Sequence, residues 1–187
     1  MALPIEIEVW QGEIAELEVD AIVIPANESL FMTTPVAAQV KRYAGDEVER
    51  EAVSQGPVAP GGSVVTGGGR LAAPYLIHAV AVGHDLRPDA AQLRSALTSA
   101  LDAAAHLSLR RIAVAPVGTE RGAFAATDAA ATLFDVLATH PSVQGRDLES
   151  VVIAVTRAED LQAYRASLEQ AAPVPGRGSA RLGAETE

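Results

Sequence analysis

Asn27 closes the segment Ile24-Pro25-Ala26-Asn27, and its side-chain amide can donate to and accept from one ligand at once, whether a ribose hydroxyl or an ordered water. It stands at the carboxyl end of the apolar run Ala21-Ile22-Val23-Ile24, where open α/β sheets bind ligands. The same amide can equally brace its own turn, so position alone leaves both roles open. Downstream, Thr34-Pro35-Val36-Ala37 pairs an N-cap threonine with proline at the first helical position. The amides of Val36 and Ala37 could face an anion there with help from the helix dipole. A simple cap is the competing reading, because Pro35 contributes no amide and the Thr34 hydroxyl can occupy the helix end itself.

A second loop, residues 115 to 125, follows the apolar run that starts at Arg111. Its Gly118, Thr119 and Gly122 would let backbone amides approach a ligand closely, and the loop would form the other wall of a cleft facing Asn27. Thr66-Gly67-Gly68-Gly69-Arg70 resembles a phosphate cradle in composition, but it lacks the lysine and following helix of a P-loop and reads as a hairpin turn. His78 lies inside an apolar strand and reads as structural. His84 with Asp85, and the isolated His106 and His140, lack the spacing of a metal site. No Ser, His and Asp constellation can be assembled from the sequence, and no metal or cofactor is implied.

The elements that must position these residues are legible as runs and periods. Ile5, Ile7 and Val9 alternate as in a strand, and residues 21 to 24, 63 to 66, 75 to 82, 111 to 117 and 150 to 155 are short apolar runs of buried strands. Helical patterns fall at about 35 to 54, 89 to 107, 127 to 139 and 157 to 170, so strands and helices alternate after a hairpin-like opening. This predicts a three-layer α/β/α sandwich around a mixed, largely parallel six-stranded sheet. Asp89 and Gln92 are placed as a capping box for one helix, Thr156 and Glu159 for the last. From residue 172 the chain becomes rich in Pro, Gly and small polar residues. The expected division is therefore a domain over 1 to 171 and a disordered tail over 172 to 187.

A single core suffices for 187 residues. With 24 acidic against 14 basic residues and a formal net charge of −10, electrostatically driven binding to nucleic acid or anionic lipid is not expected. A compact anion could still be held by backbone amides. The chain has no cysteine, which excludes disulfides, thiolate metal sites and a cysteine nucleophile together. No stretch approaches the ~20 apolar residues of a membrane span, so a soluble, cytoplasmic protein is expected.

Taken together, Gly12-Glu13-Ile14, the segment from Asp20 to Asn27, Arg42-Tyr43-Ala44-Gly45, Gly61-Gly62-Ser63, Tyr75-Leu76-Ile77-His78 and the loop 118 to 124 resemble the motifs of the macrodomain family, in order. The resemblance spans about residues 6 to 170, and the stretch from Asp20 to Gly45 matches without a gap. Members of that family bind ADP-ribose, and some branches hydrolyse ADP-ribosyl or O-acetyl-ADP-ribose linkages. The resemblance implies that Glu13, beside Ile14, receives the adenine amino group and that Asn27 lies near the distal ribose. It places the phosphates between residues 32 to 38, including Thr33, Thr34, Val36 and Ala37, and the loop of Gly118, Thr119, Glu120, Arg121, Gly122, Ala123 and Phe124.

Several positions depart from the family pattern. Ile24 replaces the first Asn of the strand motif; Met32, Thr33, Thr34 and Pro35 stand where relatives have a glycine-rich loop; Ala37 and Ala38 stand where hydrolases often carry an acidic residue and a glycine. Glu120 and Ala123 replace glycines in the second loop, and Thr156 aligns with an aromatic residue that stacks on adenine. A lost hydrogen bond to a charged phosphate removes roughly 1.5 to 3 kcal/mol, a lost stack roughly 1 to 3. The expectation is a divergent module binding ADP-ribose or a related nucleotide or phosphorylated metabolite, without hydrolysis. The alternatives are a hydrolase using Asn27 to order water, and a protein-interaction domain whose pocket is filled by Phe31 and Met32.

Overall fold

The computed structural model describes residues 3 to 171 apart from 86 and 88. The tail expected from residue 172 lies outside the described residues. Six strands form one sheet, β1 (Glu6–Gln11), β2 (Ala21–Pro25), β3 (Ser63–Gly67), β4 (Tyr75–Ala79), β5 (Arg111–Val114) and β6 (Ser150–Val155), in the order β1-β6-β5-β2-β4-β3. All neighbours run parallel except β3, which pairs antiparallel with β4 at one edge. The α-helices among the described residues are α1 (Pro35–Ala44), α2 (Asp46–Ser54), α3 (Ala90–His106), α4 (Ala126–Thr139), α5 (Pro141–Gln144) and α6 (Ala158–Ala171).

The central strands are apolar at every position because both of their faces are covered. On β2, Ala21 and Val23 face the larger core with Leu93, Leu97, Phe134 and Tyr164 of α3, α4 and α6. Ile22 and Ile24 face the other, with Val40 of α1, Val48 of α2 and Ile14. One residue of slippage would exchange these two sets, so the paired cores hold the register. The three-layer arrangement expected from the sequence is thus formed, with α1 and α2 on one side and α3, α4 and α6 on the other. Among the described residues, no helix is long and apolar enough to cross a membrane.

Three local expectations need correction. The opening region is not a hairpin: β1 leaves for the far edge, where it pairs with β6, so β6 and β5 lie between β1 and β2. The segment joining them contains a single helical turn at Ile14–Glu16 instead. The long helix expected over 35 to 54 breaks at Gly45, whose φ of 107° lies where only glycine is comfortable. At α6 the helix starts at Ala158, the Leu161 N–H bonds the Arg157 carbonyl, and Glu159 pairs with Arg157, so Thr156 is not the capping residue.

The glycine run does form the β3 to β4 turn, and packing explains its composition. A Cβ on Gly68 would lie 1.8 Å from the Ala73 carbonyl oxygen, and one on Gly69 would lie 2.3 Å from that of Ala44. The turn thereby docks on the end of α1, where the Arg70 N–H bonds Ala44 O at 2.9 Å. His78 is fully buried on β4 and shares a 2.9 Å hydrogen bond with Thr66 of β3. Burial pushes its pKa down to about 4, which fits the structural role read from its apolar strand.

Candidate functional site

The chain leaves β2 toward α1 on one face of the sheet and leaves the adjacent β5 toward α4 on the other. That divergence opens a crevice at the carboxyl ends of the two strands, the usual ligand position in such sheets. The ladder pairs Ala21 with Ile112, and its continuation through the Ala115 N–H to Val23 O bond carries the chains on in step. Continued residue for residue, this register brings Asn27 level with Gly118. Both loops expected to form the cleft thus start from the carboxyl ends of adjacent parallel strands.

Asn27 braces its own loop. Its Nδ2 donates to the Phe31 carbonyl at 2.8 Å and to Thr33 Oγ1 at 3.3 Å. Leu30 turns the chain at a φ of 62° and buries its side chain, Met32 is buried in the core beneath α1, and Phe31 between them points outward, half exposed. The loop is further pinned by Glu49 of α2, which accepts the Met32 N–H at 2.8 Å and holds Lys41 at 2.7 Å. Burial opposes the charge on Glu49, but the Lys41 ammonium and the Met32 N–H outweigh it and hold the carboxyl below its usual range.

Fixing Nδ2 fixes the opposite atom as well. Asn27 Oδ1 is buried and without a hydrogen-bond partner, an acceptor left unsatisfied beside the end of β2. At the start of α1, Thr34 Oγ1 accepts the Ala37 N–H at 3.3 Å, so that amide is engaged by the cap. Of the two amides expected to meet an anion, Val36 is the one left. Of the pair expected to fill the pocket, Met32 lies in the core and Phe31 is half exposed.

Across the crevice, Phe124 N–H bonds Gly118 O and Gly122 N–H bonds Thr119 O, closing a compact loop. Gly118 has a φ of 90°, and a Cβ there would sit 2.9 Å from Leu93, so its glycine is needed for packing. Arg121 at a φ of 50° and Gly122 at 75° face open space, both exposed, while Ala123 and Phe124 lean on the larger core. The Glu120 side chain lies outside the described ones; its backbone belongs to the helical turn Glu120–Gly122.

Glu13 follows β1, and the hydroxyl of Tyr43 donates to its Oε2. The bond to Glu13, reinforced by partial desolvation, raises the Tyr43 pKa. One carboxylate oxygen of Glu13 is thus oriented by α1. Ile14 is buried and offers only its backbone. Tyr43 and Glu49 are the supporting residues that sequence reasoning missed. Neither has a local signal, because each acts across a helix on a residue far away in the chain.

The structure also assembles a Ser, His and Asp series that the sequence concealed. His140 Nδ1 lies 2.8 Å from Ser142 Oγ and accepts the Ser142 N–H at 3.3 Å, while Nε2 lies 3.1 Å from Asp102. The order of the three groups resembles that of a hydrolase triad, with the two ring nitrogens exchanged. Its position does not: His140 caps α5, and both it and Ser142 are buried at 5% exposure, so the series fastens α5 to α3. The His140-Pro141 step was the available sequence signal for that cap.

The family model for the Macro domain matches residues 23 to 133, more than half of the chain. The chain belongs to the macro domain family. Among individual proteins, it is 32% identical over 172 residues to the ADP-ribose glycohydrolase MACROD1 of Mus musculus, covering 90% of this chain and 53% of that one. It is 36% identical over 118 residues to an uncharacterized Aquifex aeolicus protein, covering 63% of this chain and 72% of the other. An uncharacterized Mycobacterium tuberculosis protein is 33% identical over 166 residues, and this macrodomain spans 45% of its length. The Trypanosoma brucei macrodomain, solved in complex with ADP-ribose, superposes with a TM-score of 0.80 at 24% identity, covering 86% of this macrodomain and 68% of that chain.

Proposed function

We propose that this macrodomain binds ADP-ribose or a closely related phosphorylated nucleoside in the crevice between the β2–α1 and β5–α4 loops, without hydrolysing it. The observation that carries the reading is Asn27 Oδ1, a buried acceptor with no partner whose amide is locked in orientation by Phe31 and Thr33. A ribose hydroxyl is the donor it lacks. Glu13, steadied by Tyr43, supplies an acceptor for the amino group of a base. Val36 N–H and the loop from Gly118 to Phe124 would meet the diphosphate, with Arg121 at the rim offsetting its charge. The bound ADP-ribose of the Trypanosoma brucei neighbour supports the ligand class.

Hydrolysis needs a group that accepts a proton from water. On α1 the relevant turn carries Ala37, buried, and Ala38, neither of which can do so. The likeness to MACROD1 favours the second reading, a glycohydrolase in which Asn27 orders the attacking water. Titration calorimetry with ADP-ribose, on wild type and Asn27→Ala, tests the first reading: binding that weakens about tenfold or more in the variant is expected. No heat of binding in wild type would remove it. Turnover of a mono-ADP-ribosylated protein that vanishes in Asn27→Ala would establish the second.

A further inference from the structure

A groove of about 390 Å³ runs along the outer stripe of α1, lined by Met32, Ala38, Lys41, Arg42, Gly45, Asp46 and Arg70, with its Met32 and Ala38 end adjoining the loop that leads into α1. Its lower end is level with the amino ends of the strands. Arg70 belongs to the turn that leads into β4, and Gly67 of that turn pairs with Tyr75, which pairs in turn with Ala21. The crevice lies at the opposite, carboxyl ends, so the cationic end of the groove is not part of it.

The groove gathers three basic residues, Lys41, Arg42 and Arg70, with Asp46 in its lining, Glu49 on Lys41 and the Glu47 carboxylate over Gly45. Lys41 is satisfied by Glu49 at 2.7 Å and Asp46 at 3.6 Å. Neither Arg42 nor Arg70 has a carboxylate partner among the described residues. The Arg70 guanidinium makes one long contact, 3.4 Å to the Arg42 carbonyl, which brings the two basic residues together while leaving most of their donors unspent. The backbone of Arg70 is fixed by its N–H bond to Ala44.

Arg42 and Arg70 line one groove without carboxylate partners, and guanidinium groups so placed gain from a shared multivalent oxyanion. Helix α2 does not compete as an anion site, because Asp46, Glu47 and Glu49 already fill its first turn. We propose that the α1–α2 groove is a second ligand site, taking a compact small-molecule oxyanion, phosphoryl or polycarboxylate, between Arg42 and Arg70.

Amide NMR on the full chain, titrated with inorganic pyrophosphate in one arm and citrate in the other, tests this and identifies the source of the charge. Saturable shifts at Lys41, Gly45 and Arg70 are expected in at least one arm. They should persist in Asn27→Ala and weaken about tenfold or more in Arg42→Gln, which leaves the Arg70 cap on α1 intact. Arg70→Gln, checked for folding by circular dichroism, should weaken them likewise. Shifts confined to the crevice, shifts lost in Asn27→Ala, or no saturation in either arm would overturn the proposal.

Discussion

The backbone N–H of Met32 is held at 2.8 Å by the carboxylate of Glu49, so the loop after β2 is fastened to α2 and not to the helix it leads into. Met32 is thereby drawn into the core at 4% exposure, and Thr33 and Thr34 are the residues left at the cleft. Removing the carboxylate would leave that N–H and the Lys41 ammonium without their acceptor. Glu49→Ala is expected to lower stability by about 1 to 3 kcal/mol. Thermal denaturation would show this as a fall of roughly 2 to 12 °C in Tm, and an unchanged Tm would show that the tie contributes nothing.

The Thr34 cap bears on binding. With Thr34 Oγ1 on the Ala37 N–H, that amide cannot meet a phosphate. Replacing residues 34 and 35 by glycine, while keeping Met32 in the core and Thr33 on Asn27, should raise ADP-ribose affinity by about tenfold or more, or about 1.4 kcal/mol. Titration calorimetry on folded proteins decides it; equal affinities would show that the cap is no obstacle. Met32→Gly alone should instead destabilise the fold by roughly 2 to 5 kcal/mol, by analogy with other large-to-small core changes.

His78 makes stability depend on pH. Its pKa is pushed from 6.5 to about 4 by burial, so the unfolded chain binds a proton more readily than the folded one. The folded state carries no penalty from this residue above pH 6.5 and loses stability progressively as pH falls toward 4, by about 3 kcal/mol once both states are protonated. Denaturant unfolding across that window should be less steep in His78→Leu than in wild type. Parallel profiles would show that other groups govern the acid limb.

Two glycines of the second loop should respond differently to alanine. At Gly118 a Cβ meets Leu93 at 2.9 Å and the φ of 90° is unfavourable, while at Gly122 the φ of 75° is the sole penalty because nothing lies within 4 Å. Gly118→Ala should cost about 1 to 3 kcal/mol for overpacking on top of the backbone term, and Gly122→Ala about 1 to 2. Chemical denaturation of the pair measures the difference. Equal losses would mean that Leu93 moves aside freely.

How much of this molecule is local shows in which residues declared themselves. The apolar runs at 21 to 24 and 150 to 155 announced strands covered on both faces, and Thr34-Pro35 announced a helix start, because periodicity and capping depend on residues a turn or less away. The departures of the first ligand loop from its family pattern were equally visible. What lay beyond reach was the choice of distant partners. That β1 joins β6, that Glu49 holds Met32, that Tyr43 steadies Glu13 and that Asp102 meets His140 follow from burying two sheet faces and satisfying buried polar groups at once. Those conditions are met by the assembled packing, not by any single segment, so only the tertiary structure decides which amide, carboxylate and helix end remain free at the crevice.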